Sequence, residues 1–151
     1  MELNNYYPTK NLKDYILELY QRLENVTKKD GVYRELNIRF EIADRGFSDG
    51  EYCFSNDKGY HFLSLERGMI IDSKITDNLF EIAYWTIESA IFWMALEYEK
   101  RHRIKHQDNR RMLFAKEIQY FEAIGEEYAQ RARLEIESIL KKAPFQDELF
   151  Q

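Results

Sequence analysis

The feature that most constrains the fold is a long apolar run in the second half of the chain. With Tyr and Trp counted as apolar, the only polar residues between positions 80 and 96 are Glu81, Thr86, Glu88 and Ser89. Such a run is typical of a helix that is apolar nearly all round and lies buried at the centre of a domain. A membrane span is the rival interpretation, but the run is short, contains two Glu and ends in a heavily charged segment. We therefore predict a central buried helix over about residues 77–104 and no membrane contact.

The periodicity of apolar residues predicts the elements on either side of this run. Helical spacing predicts helices over about residues 10–25, 108–124 and 126–142. Two-residue alternation predicts strands within about residues 33–75, the first of them from Leu36 to Ile42. Short connections favour antiparallel pairing of these strands.

These elements define an α+β fold class in a single domain over residues 1–151. We expect an N-terminal helix, an antiparallel β-meander of three to four strands, and then three α-helices that include the long buried central one. The helices should cover one face of the sheet.

Composition narrows the function classes. The net charge of −5 and pI near 5.3 argue against general binding to nucleic acid, which requires Lys and Arg to neutralise phosphates. The single cysteine, Cys53, has no intramolecular disulfide partner, and the first ten residues lack the apolar core of a signal peptide. We therefore expect a cytoplasmic protein. The aromatic content of 15% exceeds what a core needs and resembles binding surfaces, although rings that fill the core are the more common explanation.

Residue types that carry catalysis or bind metals form no recognisable pattern. Glu99, His102 and His106 would share one side of a helix that extended so far, but no second Glu-x-x-His, no HExxH and no paired CxxC occurs. Cys53 occupies a strand position typical of a small buried hydrophobe. We therefore predict no enzyme activity, no cofactor and no metal.

Acidic and aromatic residues form a stripe along the central helix. At 100° per residue, five of them lie within about 40° of one line: Glu81, Trp85, Glu88, Phe92 and Glu99. If the stripe is buried, its carboxylates need cationic partners, for which Arg39 and Arg67 of the sheet are candidates. If it is exposed, its rings and charges are suited to capturing a basic protein. The sequence leaves both possibilities open.

Two charged motifs lie at predicted element ends. In Glu66-Arg67-Gly68, two opposite charges stand at a sheet edge and Gly68 allows a tight bend. In the basic segment 101–111, Asp108 or Asn109 is suited to capping the next helix. Arg110 and Arg111 then face the positive start of that helix, at a cost of about 0.3–1 kcal/mol each, which indicates specific carboxylate partners such as Glu97 or Glu99.

Four phrases in this order, FLSLERG, EIAYW, ALEYEKRHRIKHQDNRRMLF and GEEYAQRARLEIESILKKAPF, resemble the immunity protein 63 family of bacterial polymorphic toxin systems. The resemblance spans about residues 60–148. It implies an intracellular antidote, encoded beside a toxin, that binds and blocks the toxin without catalysis. The matching positions are Glu66, Arg67, Gly68, Tyr84, Trp85, Asp108, Arg110 and Arg111.

From the resemblance and the residues together we predict a cytoplasmic, non-catalytic immunity protein. Its partner would be a cognate toxin, basic if the toxin acts on nucleic acid, and a homo-oligomer is compatible with the sequence. The candidate partner-binding residues are Glu66, Arg67, Tyr84, Trp85, Glu81, Glu88, Phe92, Asp108, Arg110 and Arg111, with Gly68 as a structural turn. The alternatives are a structural or adaptor domain, or an enzyme that uses Glu66, Arg67 and the His102 region.

Overall fold

The computed structural model describes residues 6–147, which form an α+β fold. The elements in chain order are α1 (Thr9–Gln21), α2 (Glu24–Lys29), β1 (Gly50–Asn56), β2 (Gly59–Glu66), β3 (Met69–Thr76), α3 (Leu79–Arg101), α4 (Asn109–Ile124) and α5 (Glu126–Lys142). The three strands form one antiparallel sheet in the order β1-β2-β3. The predicted fold class is thereby confirmed, with an N-terminal helix, a meander and a long central helix.

The chain is organised in two compact units. Of the described residues, the first comprises 6–19 together with Glu35–Glu88, and the second comprises Tyr20–Arg34 together with 89–147. Because this boundary falls within α3, that helix contributes residues to both units. The prediction of a single domain over residues 1–151 stays a prediction.

In the first unit, two tight hairpins join the three strands. β1 and β2 meet at Asn56 and Gly59, and β2 and β3 meet at Glu66 and Met69. Gly59 has a φ of 140°, and a Cβ there would stand 2.8 Å from the carbonyl oxygen of Thr76. Only glycine therefore fits where the first hairpin passes β3.

The two faces of this sheet are covered differently. On one face, the hydroxyl of Thr86 in α3 donates to Cys53 Sγ at 3.5 Å, so the start of α3 packs on β1. On the other face a buried cluster brings residue 43 of the preceding segment onto the sheet; its members are Ala43, Tyr52, Phe54, Leu63 and Leu65. β3 lies at the sheet edge, and all its residues except Thr76 are exposed.

The strand predicted at Leu36–Ile42 does not form, which corrects that part of the prediction. Only Arg39 bridges to the sheet: its N–H donates to Glu51 O at 2.9 Å, and its carbonyl accepts from Cys53 N at 3.0 Å. Leu36, Ile38 and Phe40 are half-buried while the residues between them are exposed, so the alternation of burial is real. An extended segment that lies against a sheet satisfies this pattern without a hydrogen-bonded ladder.

In the second unit, α4 packs against α5, and Gly125 separates them. Their bounds lie within one residue of the predicted ranges 108–124 and 126–142. The buried side chains of the two helices are Leu113, Phe114, Tyr120, Phe121, Ile124, Tyr128, Ala129, Ala132 and Ile136.

The helix predicted over residues 10–25 is divided between α1 and α2. The break falls at Arg22 and Leu23, and α2 extends beyond the predicted end to Lys29. Leu19, Tyr20, Leu23 and Thr27 are all buried. Because the apolar repeat continues through the break, the periodicity of the sequence gives no sign of it.

α3 is less uniformly buried than its composition predicts. Ile82, Ile87, Ile91 and Met94 are fully buried, but the neighbouring Phe92 and Trp93 are exposed. By length and composition alone the helix could also cross a membrane, which is weak evidence because core helices pass the same test. The exposed rings show that one side of α3 is open rather than covered by the fold.

Candidate functional site

The acidic and aromatic stripe of α3 is neither wholly buried nor wholly exposed. Glu81, Trp85 and Glu88 are half-buried, and Phe92 is exposed. Glu99 is buried, and its carboxylate accepts two hydrogen bonds from Arg103, from Nε at 2.9 Å and from Nη2 at 3.0 Å. The cationic partner of Glu99 is therefore Arg103, just past the end of its own helix, and not one of the candidates Arg39 and Arg67.

The most exposed large rings of α3 are Phe92 and Trp93, which form a pair. Their ring centroids are 5.5 Å apart and their planes are inclined at 72°, an edge-to-face contact. Trp93 is 50% exposed and Phe92 is 38% exposed. Sequence reasoning did not single out Trp93, because a run that is apolar nearly all round carries no periodic signal of which ring faces solvent. Solvent-exposed Trp and Phe are residue types that anchor protein interfaces.

Trp85, the remaining ring of the stripe, lies against β3 in the first unit. Lys74 Nζ stands 5.6 Å from the centroid of its indole ring, within the range of a cation–π contact. Lys74 Nζ also lies 3.8 Å from Asp72 Oδ2 on the same strand. Burial, followed by the nearby Asp72 charge, raises the pKa of the Glu51 carboxyl. β3 thus carries the opposite charges of Asp72 and Lys74, with Lys74 beside the Trp85 ring.

The turn between β2 and β3 contains Glu66, Arg67 and Gly68. Arg67 has a φ of 55° and Gly68 has a φ of 75°, so both central residues adopt the left-handed conformation of a type I′ turn. Asp49 Oδ1 accepts a hydrogen bond from Arg67 N at 2.7 Å. The side chains of Glu66 and Arg67 are both exposed. An arginine in this conformation is strained, and such strain often occurs at functional positions.

We expect Arg67→Asn to raise the free energy of unfolding by about 0.5–1 kcal/mol, because asparagine adopts positive φ at a lower cost. Denaturant unfolding monitored by Trp fluorescence measures the change. Glu66→Asn is the matched control, since it is an exposed neighbour without positive φ and should give no gain. A loss of stability in Arg67→Asn would show that the arginine side chain makes a contact that outweighs the strain.

The joint between α3 and α4 is organised by Asp108, whose side chain is fully buried. Asp108 caps α4: Oδ1 accepts from Arg110 N at 3.0 Å, and Oδ2 accepts from Arg110 Nη2 at 2.9 Å and from Gln146 N at 3.0 Å. These hydrogen bonds, foremost those from the Arg110 side chain, lower the pKa of Asp108 to about 2. Asp108 is therefore an ionised structural carboxylate.

Arg110 and Arg111 use their side chains to hold the segment after α5. Arg110 donates to Ala143 O at 2.8 Å and to Pro144 O at 2.9 Å. Arg111 donates to both carboxylate oxygens of Asp147, at 2.8 and 3.0 Å, and its guanidinium lies 4.2 Å from the Phe145 ring centroid. We name Asp108, Arg110, Arg111 and residues 143–147 the C-terminal clamp.

The clamp identifies the carboxylate partners that the two arginines require. They are Asp108 and Asp147, not Glu97 or Glu99 as predicted. Glu97 instead pairs with Arg101, and Glu99 pairs with Arg103, each four residues along the chain. Asp147 lies 36 residues after Arg111, and no local sequence pattern signals so distant a contact.

The buried state of two predicted partner-binding residues limits what they can contact. Tyr84 is 1% exposed in the core of the first unit, and Asp108 is enclosed by the clamp. Neither side chain is presented to a partner, so we do not carry them into a proposed interface. Arg110 and Arg111 remain partly exposed while serving the clamp.

The residues considered for metal binding or catalysis do not form a common arrangement. α3 ends at Arg101, so Glu99, His102 and His106 do not share one helix face. The His102 ring stacks on Tyr98, with centroids 4.0 Å apart. Within residues 6–147, no three His, Cys, Asp or Glu side chains come close enough to hold a metal ion. Burial raises the pKa of the Cys53 thiol to about 12, so this thiol is uncharged and inaccessible.

A second polar cluster, which the sequence does not indicate, joins α2 to α4. Asp30 Oδ2 accepts from Lys116 Nζ at 2.9 Å and from Tyr120 Oη at 2.8 Å. Lys116 Nζ also lies 3.8 Å from the centroid of the Tyr98 ring. The three polar groups satisfy one another inside the second unit, which indicates a structural role.

These features define an α+β protein whose two described polar clusters serve the fold and whose exposed Phe92 and Trp93 rings lie on the long central helix. Residues 56–138 match the family model described as Immunity protein 63. Because the match covers more than half of the 151 residues, the chain belongs to this family. Comparisons with curated proteins and with solved structures give no match.

Proposed function

We propose that this protein is a non-catalytic immunity protein that binds a cognate toxin in the cytoplasm and thereby neutralises it. The observation that carries the proposal is the family match over residues 56–138. The structural roles of two residues weighed for chemistry support it: Cys53, considered as a nucleophile, is buried, and Glu99, considered as a metal ligand, is held by Arg103. Binding by surface contact needs no cofactor, and the proposal includes none.

The exposed rings of α3 support a contact surface on this helix. Phe92 and Trp93 present apolar area to solvent, which is released from water when a partner covers it. Glu88 lies about one helical turn before Phe92 and is half-buried. With a net charge of −5, long-range attraction would accelerate association with a basic toxin.

Co-expression with the product of the adjacent gene tests this function. If that product inhibits growth, this protein should restore growth and co-purify with an inactive form of the toxin. A variant of the protein truncated within α4 is the negative control, because it loses the α4–α5 packing. Failure both to bind the neighbouring product and to restore growth would contradict the immunity function and favour an adaptor role.

A further inference from the structure

β3 is an open edge of the sheet. It is the last strand in the order β1-β2-β3, and each residue from Met69 to Ile75 is exposed. Met69, Ile71 and Ile75 are 67%, 59% and 52% exposed, which is unusual for three apolar side chains on one strand. The outward N–H and C=O groups of an edge strand are a template for pairing with another strand.

The sequence of this strand is complementary to itself. Residues 71–75 read Ile-Asp-Ser-Lys-Ile. When two copies run antiparallel about Ser73, Ile71 stands opposite Ile75, Asp72 stands opposite Lys74, and Ser73 stands opposite its own copy. Directly opposite residues in an antiparallel pair have Cβ atoms about 4.5–5.5 Å apart, so each charged pair is in contact, while Ile71, beside the bulge of the strand, lies only near Ile75.

We propose that a second copy of this chain pairs with β3 in this register and joins the two three-stranded sheets into one. The two-fold symmetry of the contact produces the same Asp72–Lys74 pair twice and the same Ile71–Ile75 pair twice, as an isologous interface requires. A strand of arbitrary sequence would satisfy the backbone groups but not both charges at once. The charge pattern therefore selects a second copy of this chain as the occupant.

The local environment of the two charges favours pairing between copies. Within one chain, Lys74 Nζ and Asp72 Oδ2 are 3.8 Å apart and both side chains are more than 40% exposed, so their mutual contact is weak. Asp72 and Lys74 stand opposite Ser64 and Phe62 of β2, and both lie on the face that carries Trp85. A carboxylate from the second copy would thus meet Lys74 beside the indole ring.

The length of the regular strand limits the strength of the dimer. The β2–β3 register shifts between Ser64 and Leu65, so Ile71 is a bulge residue at one end of the paired segment. A bulge and a lysine are also devices that restrain edge pairing. A contact of this length buries an area at the low end of the range for specific protein interfaces, so the dimer should dissociate on dilution.

Sedimentation equilibrium of the full chain over a roughly hundredfold range of concentration should show a monomer–dimer equilibrium. Lys74→Glu places like charges opposite each other twice and should raise the dissociation constant by roughly tenfold or more. The double swap Asp72→Lys with Lys74→Asp recreates both pairs and should restore dimerisation. Thermal unfolding of each variant verifies that the fold is retained.

A cross-link at the symmetry centre tests the register independently. Ser73→Cys should form a disulfide between copies under mild oxidation, because residue 73 faces its own copy. Ile75→Cys is the matched control: the two positions 75 lie about 13 Å apart in this register, beyond disulfide reach. Native Cys53 is buried and should not compete.

The result that overturns the proposal is a chain that stays monomeric at all concentrations and gives no Ser73→Cys cross-link. A dimer that is insensitive to Lys74→Glu and is not cross-linked at position 73 would place the contact elsewhere and overturn it equally. Because the proposal concerns β3 alone, it does not depend on the toxin-binding function.

Discussion

Replacing Asp108 with alanine should lower the free energy of unfolding by about 3 kcal/mol, the largest stability change that we expect in this protein. The carboxylate caps α4, receives the Arg110 side chain and accepts from Gln146 N, so one substitution leaves several buried donors unpaired. Denaturant unfolding measured by circular dichroism gives the change. A cost below about 1 kcal/mol would show that Asp108 stabilises the fold no more than an exposed ion pair does.

The pH dependence of stability provides a second test of the role of Asp108. The pKa of Asp108 is lowered from 3.8 to about 2, so its charge stabilises the folded protein fully only above about pH 5, and this contribution is lost as the pH falls through 4 toward 2. Asp108→Asn keeps an oxygen acceptor but no charge, so the stability difference from the wild type should shrink between pH 4 and pH 2. A difference that is constant over this range would contradict the assignment.

The double substitution Phe92→Ala with Trp93→Ala should weaken toxin binding by at least about 2 kcal/mol, or roughly thirtyfold, if the proposed function is right. Both rings are exposed, so their removal deletes apolar contact area for a partner while leaving the buried residues of α3 in place. Isothermal titration calorimetry with an inactive toxin measures the affinity, and unfolding curves verify the fold.

Leu134→Ala is the matched control for the ring pair. Leu134 is 63% exposed on α5 and lies outside the acidic and aromatic stripe. Its removal deletes exposed apolar area of the same kind and should leave toxin affinity unchanged. Equal affinity of the double ring variant and the wild type would show that the toxin contacts a different surface.

The sequence predicted best the helices that have a strong apolar periodicity and a clear start or stop residue at each end. α4 is bounded by Asp108 and Gly125, and α5 by Gly125 and the approach to Pro144, so their limits were nearly right. The strand at Leu36–Ile42 was wrong because alternating burial shows only that one side of a segment is covered. Whether the segment also forms a hydrogen-bonded ladder with a neighbouring strand depends on tertiary contacts, which the alternation does not encode.

The candidate site was less predictable, because exposure and long-range pairing decide it. The angular position of Trp85, Glu88 and Phe92 followed from helical geometry, but which of them reach solvent depends on what packs against α3. The cost of placing Arg110 and Arg111 at a helix start correctly indicated carboxylate partners. It did not identify Asp147, because the contact joins residues separated by a whole helical hairpin.

The C-terminal clamp also has a consequence for the order in which the second unit is completed during synthesis. Residues 143–147 are made after α4 and α5, yet they contribute Gln146 N and the Asp147 carboxylate to the start of α4. Until they emerge, Asp108 and Arg111 lack these partners, and the loop between them is not yet closed, so its entropic cost arises only together with the contacts that offset it. The contacts that hold the end of α5 to the start of α4 can therefore form only after both helices have been synthesised.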